Sequence, residues 1–206
     1  MMSDNNKLSS YYKLDSLAQD SLSAAALSRN FVLSCTGRNM GFLKKSFFDI
    51  NGYEGIEHYK SGDDDLLMQK FATLLNEKLK FSFHPNSVVI SDPPSSIKEF
   101  FNQRIRYASK GFDYYKLQTS NEFKIALPFL YLVNFICLLN IIFFIQSVEI
   151  IYLFPITIKT ISDYWICSIF FDKINQNFTV FEFLVLALIH PIYIVSLGLL
   201  SPFIHE

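Results

Sequence analysis

Cysteine, charge and any basic excess are scarce in this sequence of 206 residues. Its three cysteines, Cys35, Cys137 and Cys167, are too few and too scattered for a disulfide framework or a zinc site. Two of them lie inside apolar runs, where a small hydrophobic packing role is the simpler reading. Charged residues make up 18% of the chain, against about 25% in an ordinary soluble domain. The formal net charge of −1 leaves no surplus of cations for a nucleic-acid binder that works by bulk charge. The opening MMSDNNKLSS is polar and lacks the apolar core of a secretory signal. Disorder is excluded by what the chain does hold, an abundance of Phe, Ile and Leu.

The charge deficit is uneven. Met1–Ala126 carries 16 Lys/Arg and 14 Asp/Glu, whereas Leu127–Glu206 carries two and five, so +2 on the first part faces −3 on the second. Ile125–Val148 is a run of 24 residues without a charge, and a hydrocarbon core of ~30 Å requires ~20 such residues in a helix. Phe183–Ile204 adds 22 more, interrupted by His190-Pro191, which predicts a second, kinked span. Between them, Ile150–Phe171 is apolar but holds Lys159 and Asp163 at i,i+4 spacing. It is either a third span with that pair facing other helices, or an interfacial helix. Lys98–Lys124 holds six Lys/Arg against three Asp/Glu and leads into the first span. That asymmetry predicts an integral membrane protein with residues 1–124 in the cytoplasm and 125–206 as a membrane region of two to three helices. The Asn177-Phe-Thr179 sequon is then accidental.

The cytosolic part alternates helix and strand signals. Helices are predicted over Ser16–Leu27 and Asp64–Leu79, and over Ile97–Lys110, capped by Ser95 or Ser96 and stopped by Gly111. Phe31–Cys35, Lys80–His84 and Ser87–Ser91 have the pattern of short strands. About 120 residues of such a mixture make a poor independent domain.

Three clusters could carry chemistry. Asp63-Asp64-Asp65, behind Ser61-Gly62, is either a solvated helix cap or the site of a general base. On the helix from Ile97, the residues Ile97, Phe100, Phe101, Ile105 and Ala108 share one face, while Gln103, Arg106, Tyr107 and Lys110 share another. The second face suits phosphate oxygens and a stacked ring, or alternatively the anionic headgroups beside a membrane. Thr36-Gly37-Arg38-Asn39-Met40 is a loop followed by Lys44 and Lys45. His58 and His84 add little, and His190 lies in a span without an evident partner.

Taken in order, TGRNMGFLKKSFFDINGY (36–53), SGDDDLLMQK (61–70), HPNSVVISDPP (84–94) and QRIRYASKG (103–111), followed by spans, resemble the acceptor-side half of membrane-bound family 2 glycosyltransferases, the cellulose and chitin synthase-like group. The resemblance implies an α/β, GT-A-type glycosyltransferase domain in part, followed by transmembrane helices. It implies an inverting transfer of sugar from a nucleotide-sugar to a carbohydrate or lipid-linked acceptor at the membrane. Asp64 would be the catalytic base, with Asp63, Gln103, Arg106, Tyr107, Gly37 and Asn39 binding substrate. Tyr107 stands where the family motif has Trp. The divalent cation (Mg or Mn) that the family uses would be held by an Asp-x-Asp in a nucleotide-binding half, and those ligands are absent from this chain. The sequence is therefore expected to be a C-terminal fragment, inactive alone. A non-catalytic membrane anchor or partner-binding protein is the alternative.

Overall fold

The structure, a computed structural model, describes residues 7–59, 62–75, 79–108, 111, 113–117 and 119–200. Among these residues seven α-helices form the frame: α1 (Lys7–Leu27), α2 (Lys44–Asp49), α3 (Asp63–Leu74), α4 (Ile97–Ala108), α5 (Asn121–Ser147), α6 (Phe154–Lys173) and α7 (Val180–Leu200). Short 3-10 turns lie at Gly37–Asn39, Pro85–Ser87, Asp113–Tyr115 and Ile150–Leu153. Ser61, Lys78, Lys110 and the tail 201–206 lie outside the described residues.

No strand or bridge forms among the described residues, so the α/β, GT-A-type fold expected from the sequence is corrected to an all-helical one. Phe31–Cys35 and most of Lys80–Ser91 are non-helical, as a strand pattern requires, yet no neighbouring strand completes a ladder. A strand exists only through its partner. Here side chains take that place: Gln69 Nε2 donates to Val32 O at 3.0 Å, Asp65 accepts from Cys35 N at 2.7 Å, and Asn39 Nδ2 donates to Ser87 O.

α3 is the centre of the half that precedes α5. Gly62 precedes it with φ 77, a left-handed turn that an L side chain resists, and three aspartates fill its positive first turn. Residues Leu66 to Phe71 are all buried. The polar members of that run are satisfied: Lys70 Nζ donates to Gly52 O at 2.6 Å and Glu54 O at 2.9 Å, and Gln69 Oε1 accepts from Ser120 N at 3.1 Å. Leu66, Leu67 and Phe71 share a core with Leu33, Ile50, Ile56, Tyr114 and Phe123.

A second core joins α1 to the apolar helices. Leu14 and Ala24 pack with Cys167, Phe170 and Phe171 of α6, and with Phe183 and Ala187 of α7. Small residues on α1 allow the close approach, and Ser21 satisfies its hydroxyl on Ala18 O at 2.7 Å. α4 is capped as the sequence predicts. Ser96 Oγ accepts from Glu99 N at 3.2 Å, and Glu99 accepts from the Ser95 N–H and hydroxyl, each at 2.6 Å. Its predicted apolar face packs only in part: Ile97 and Phe101 are exposed, whereas the Phe100 ring stacks on Tyr12 at 5.0 Å. α4 is also held through Arg104, which pairs with buried Asp15 of α1.

Among the described residues, α5 and α7 are the two helices long and apolar enough to cross a membrane. Only 11% of the apolar window of α5 is buried, and 33% of that of α7. The core helix of a soluble protein would hide most of such a surface, so these helices favour membrane association. α7 begins three residues before the predicted span. Thr179 and Glu182 form its capping box, with Glu182 N donating to Thr179 Oγ1 at 3.2 Å and Thr179 Oγ1 to Glu182 Oε2 at 2.8 Å. Thr179 of the sequon is thus a helix cap. In α6, Lys159 Nζ and Asp163 Oδ2 pair at 2.5 Å. His190 does have a partner, with its Nδ1 3.1 Å from Asn134 Oδ1 of α5.

Where α5 meets α7, a Cβ built on Gly198 would stand 2.2 Å from Cε2 of the Tyr131 ring. Apolar helices rely on such small residues for close approach. Gly198→Ala should therefore destabilise the pair by about 1–3 kcal/mol. Gly41→Ala, where a Cβ meets nothing within 4 Å, should be nearly neutral. Denaturant titration of both variants in detergent checks this, and equal midpoints would refute the packing argument.

Candidate functional site

One large cleft, about 1540 Å³, is walled by α1, the Leu33–Arg38 segment, the start of α3, residues 88–94, α4 and the first turns of α5. Asp63, Asp64, Gln103, Arg106 and Tyr107, separated in sequence by some forty positions, all line it. Gly37 and Asn39 do not. They hold its wall in place.

Asp64 stands in the first turn of α3, between two N–H donors. Its Oδ2 accepts from Gly37 N at 2.6 Å and its Oδ1 from Asp65 N at 2.9 Å. Gly37 is what the approach requires, since a Cβ there would lie 3.1 Å from Asp64 Oδ2. Asp63 is exposed at the rim. Asn39 ties the same loop to Ser87 O, and Arg38 reaches Ser91 Oγ at 2.7 Å and Thr36 Oγ1 at 3.2 Å. The Thr36–Met40 loop thus bridges α3 and the extended segment that follows it.

Asp65 completes the acidic turn from the inside. Its Oδ1 accepts from Cys35 N at 2.7 Å and Ser34 Oγ at 2.9 Å, and Tyr114 Oη lies 3.5 Å from its Oδ2. Burial pushes this carboxyl up to about 6, overcoming the Cys35 and Ser34 hydrogen bonds that favour its ionised form. The phenol of Tyr114 is driven upward, first by burial and then by the Asp65 charge. Burial also raises Asp20 of α1, against the opposing pull of Arg38.

Across the cleft, α4 presents its polar face. The Arg106 guanidinium lies 5.0 Å from the Tyr107 ring centre, and Tyr107 keeps 43% of its surface exposed, which leaves an accessible aromatic platform. Arg104, on the other side of the helix turn, is engaged with Asp15 and Gln19 of α1. Sequence reasoning missed Asp20, Ser34, Cys35 and Tyr114, because nothing local marks residues that meet only through tertiary contact.

The donors present do not suit a divalent cation. Among the described residues no three His, Cys, Asp or Glu side chains converge. Asp64 Oδ2 and Asp65 Oδ1 are already held by the Gly37 and Cys35 N–H groups.

Fold and site together define an all-helical protein with two apolar helices fit for a membrane and a mixed-charge cleft beside them. No protein-family model, curated protein or solved structure matches the chain.

The acidic turn has a measurable signature. A folded carboxyl near 6, above its ordinary 3.8, contributes stability that is present below pH 4 and lost as pH rises through 6. Melting of the wild type should fall across that window relative to Asp65→Asn, which lacks the titration. A gap between the two that stays constant from pH 4 to 7 would show that Asp65 does not titrate there.

Proposed function

We propose that this chain forms the acceptor side of a membrane-bound glycosyltransferase, with the cleft facing the cytoplasm. The observation that carries the reading is the convergence, in one cleft, of the acidic turn of α3 and the Gln103–Arg106–Tyr107 face of α4. These are the two motifs on which the resemblance to family 2 glycosyltransferases is strongest. Orientation rests on the cationic excess between Lys98 and Lys124, directly before α5.

Asp64 is the base in this reading. The acceptor hydroxyl gives its proton to Asp64 while its oxygen bonds to the anomeric carbon of the nucleotide-sugar. The bond from that carbon to the diphosphate breaks on the opposite face, so configuration inverts and a nucleoside diphosphate departs. Charge accumulates on the leaving oxygens, where Arg106 offers a guanidinium and Gln103 an amide. Tyr107 provides a ring for sugar or base to stack upon. Gly37 and Asn39 act by fixing the loop that holds Asp64. The nucleotide of the donor is held by a separate nucleotide-binding half, as the resemblance implies.

Nucleoside-diphosphate release from a panel of nucleotide-sugars, in membranes where the chain works together with that nucleotide-binding half, tests this. Asp64→Asn should lower turnover by about 10²–10⁴-fold and leave donor binding unchanged. Gly37→Ala should lower it less, by displacing Asp64 a few tenths of an ångström. Full turnover in Asp64→Asn would remove the base. Absence of any donor-dependent release would favour a non-catalytic membrane anchor.

A further inference from the structure

The cleft is larger than its polar residues require, since small-molecule sites typically occupy about 300–1,000 Å³ and this one about 1540 Å³. Part of its apolar wall comes from the membrane helix. Phe123, Leu127 and Leu130 of α5 line it, at i, i+4 and i+7, one face of a helix. The stripe starts at the acidic turn: the Tyr114 ring lies 5.0 Å from that of Phe123, and its hydroxyl 3.5 Å from Asp65. It ends where α5 is bare, with Ile125, Phe129 and Leu132 exposed alongside. A sugar has no use for such a stripe.

Arg38 supplies the other half of the argument. It lines the cleft one residue from the Gly37–Asp64 hydrogen bond. Its side chain is held by the Ser91 and Thr36 hydroxyls, and among the described residues it forms no ion pair. Arg104, by contrast, is neutralised by Asp15. Asp20 of α1 lies within reach of its charge but forms no ion pair with it among the described residues, and a guanidinium so held, next to the base, suits a phosphate.

Resting on the function proposed above, we infer that the acceptor is a phospholipid-type molecule. It is a hydroxyl-bearing headgroup joined through phosphate to a hydrocarbon tail, with its phosphate on Arg38 and its tail along Phe123, Leu127 and Leu130. The tail leaves the cleft directly into the bilayer beside α5. The headgroup hydroxyl is thereby presented to Asp64 from the membrane side.

Three probes, titrated calorimetrically into the detergent-purified full chain, test the assignment: dioctanoyl phosphatidylglycerol, glycerol 1-phosphate and dioctanoylglycerol. The intact lipid should bind at least tenfold more tightly than either half. Arg38→Gln should lose that advantage while leaving dioctanoylglycerol binding unchanged, and Leu130→Asn should weaken the intact lipid without affecting glycerol 1-phosphate. Arg38→Lys, with an unchanged melting curve, should retain part of the effect, which separates charge from folding. Glycerol 1-phosphate binding as tightly as the lipid would identify a free-phosphate site and overturn the proposal. So would dioctanoylglycerol doing so, or an Arg38→Gln variant with wild-type selectivity. Asp64→Asn should bind the lipid normally. Lipid selectivity alongside undiminished turnover in that variant would remove only the catalytic reading. Asp64-dependent turnover without lipid selectivity would remove only this one.

Discussion

A single carboxylate, Asp15, holds the arrangement together. It is 2% exposed, and it accepts hydrogen bonds from Arg104 of α4, from Tyr193 of α7 at 2.5 Å and from Gln19 of its own helix at 3.2 Å. An ionised carboxylate out of water is tolerated only when paired and hydrogen-bonded. Arg104 supplies the charge and Tyr193 a second donor. Each partner alone would be an expense, because a buried ion pair gains little over an apolar contact once desolvation is counted. What the pair provides is position. α4 has no fully buried residue, so Arg104, together with Phe100 stacked on Tyr12 and edge-on to Tyr193, sets how the helix is rotated. Gln103 and Arg106 flank Arg104 on that helix, and their direction into the cleft follows from its anchoring.

The same economy governs the apolar helices. Between α5 and α7 no hydrophobic force remains once both stand in lipid, and association falls to packing and to hydrogen bonds. Gly198 against Tyr131 provides the first and His190 with Asn134 the second. Tyr131 adds its hydroxyl on Val195 O at 3.4 Å. α7 therefore carries two polar groups on one face, their rings 5.0 Å apart. His190 is directed to α5, and Tyr193, three residues on, to Asp15 and α4. This pattern explains why α7 is more buried than α5, although the two have the same mean hydropathy of 2.3. One is a hinge pin between layers, and the other presents a free flank.

Features encoded locally were legible in the sequence. The Ser95/Ser96 and Glu99 cap, the helical spacing around Leu67 and Phe71, and the uncharged run of α5 all rest on neighbours within a few positions. The strands were not legible, because a short apolar run such as Phe31–Cys35 or Ser87–Ser91 suits an extended backbone without saying whether a partner lies alongside. Side chains from α3 and the Gly37–Asn39 turn took those hydrogen bonds instead. The acidic turn, Arg106 and Tyr107 could be proposed from motif order, and the structure gathers them in one cleft. The residues that tune them could not. Asp15 and Tyr193 are 178 positions apart, and Ser34 and Asp65 are 31. Contacts of that range leave no periodic trace.

Placing such a cleft against the start of α5 has an electrostatic consequence. Hydrocarbon and a buried aromatic wall lower the local dielectric, so each charge in the cleft is felt more strongly than it would be on an open surface. For Asp65 the result is unfavourable to ionisation, which is why burial outweighs two good hydrogen bonds. Arg38 is exposed and held by neutral hydroxyls, so its guanidinium stands on the solvent side of the cleft, open to a phosphate. Asp64 lies between these two, one residue from Asp65 and bonded to the residue before Arg38. An anion bound on Arg38 is therefore close to the carboxylate, and repulsion between them is lowest when the group that meets Asp64 is a neutral hydroxyl. An acceptor bound as proposed would thereby be oriented by sign of charge: phosphate toward the guanidinium, hydroxyl toward Asp64, tail toward the lipid.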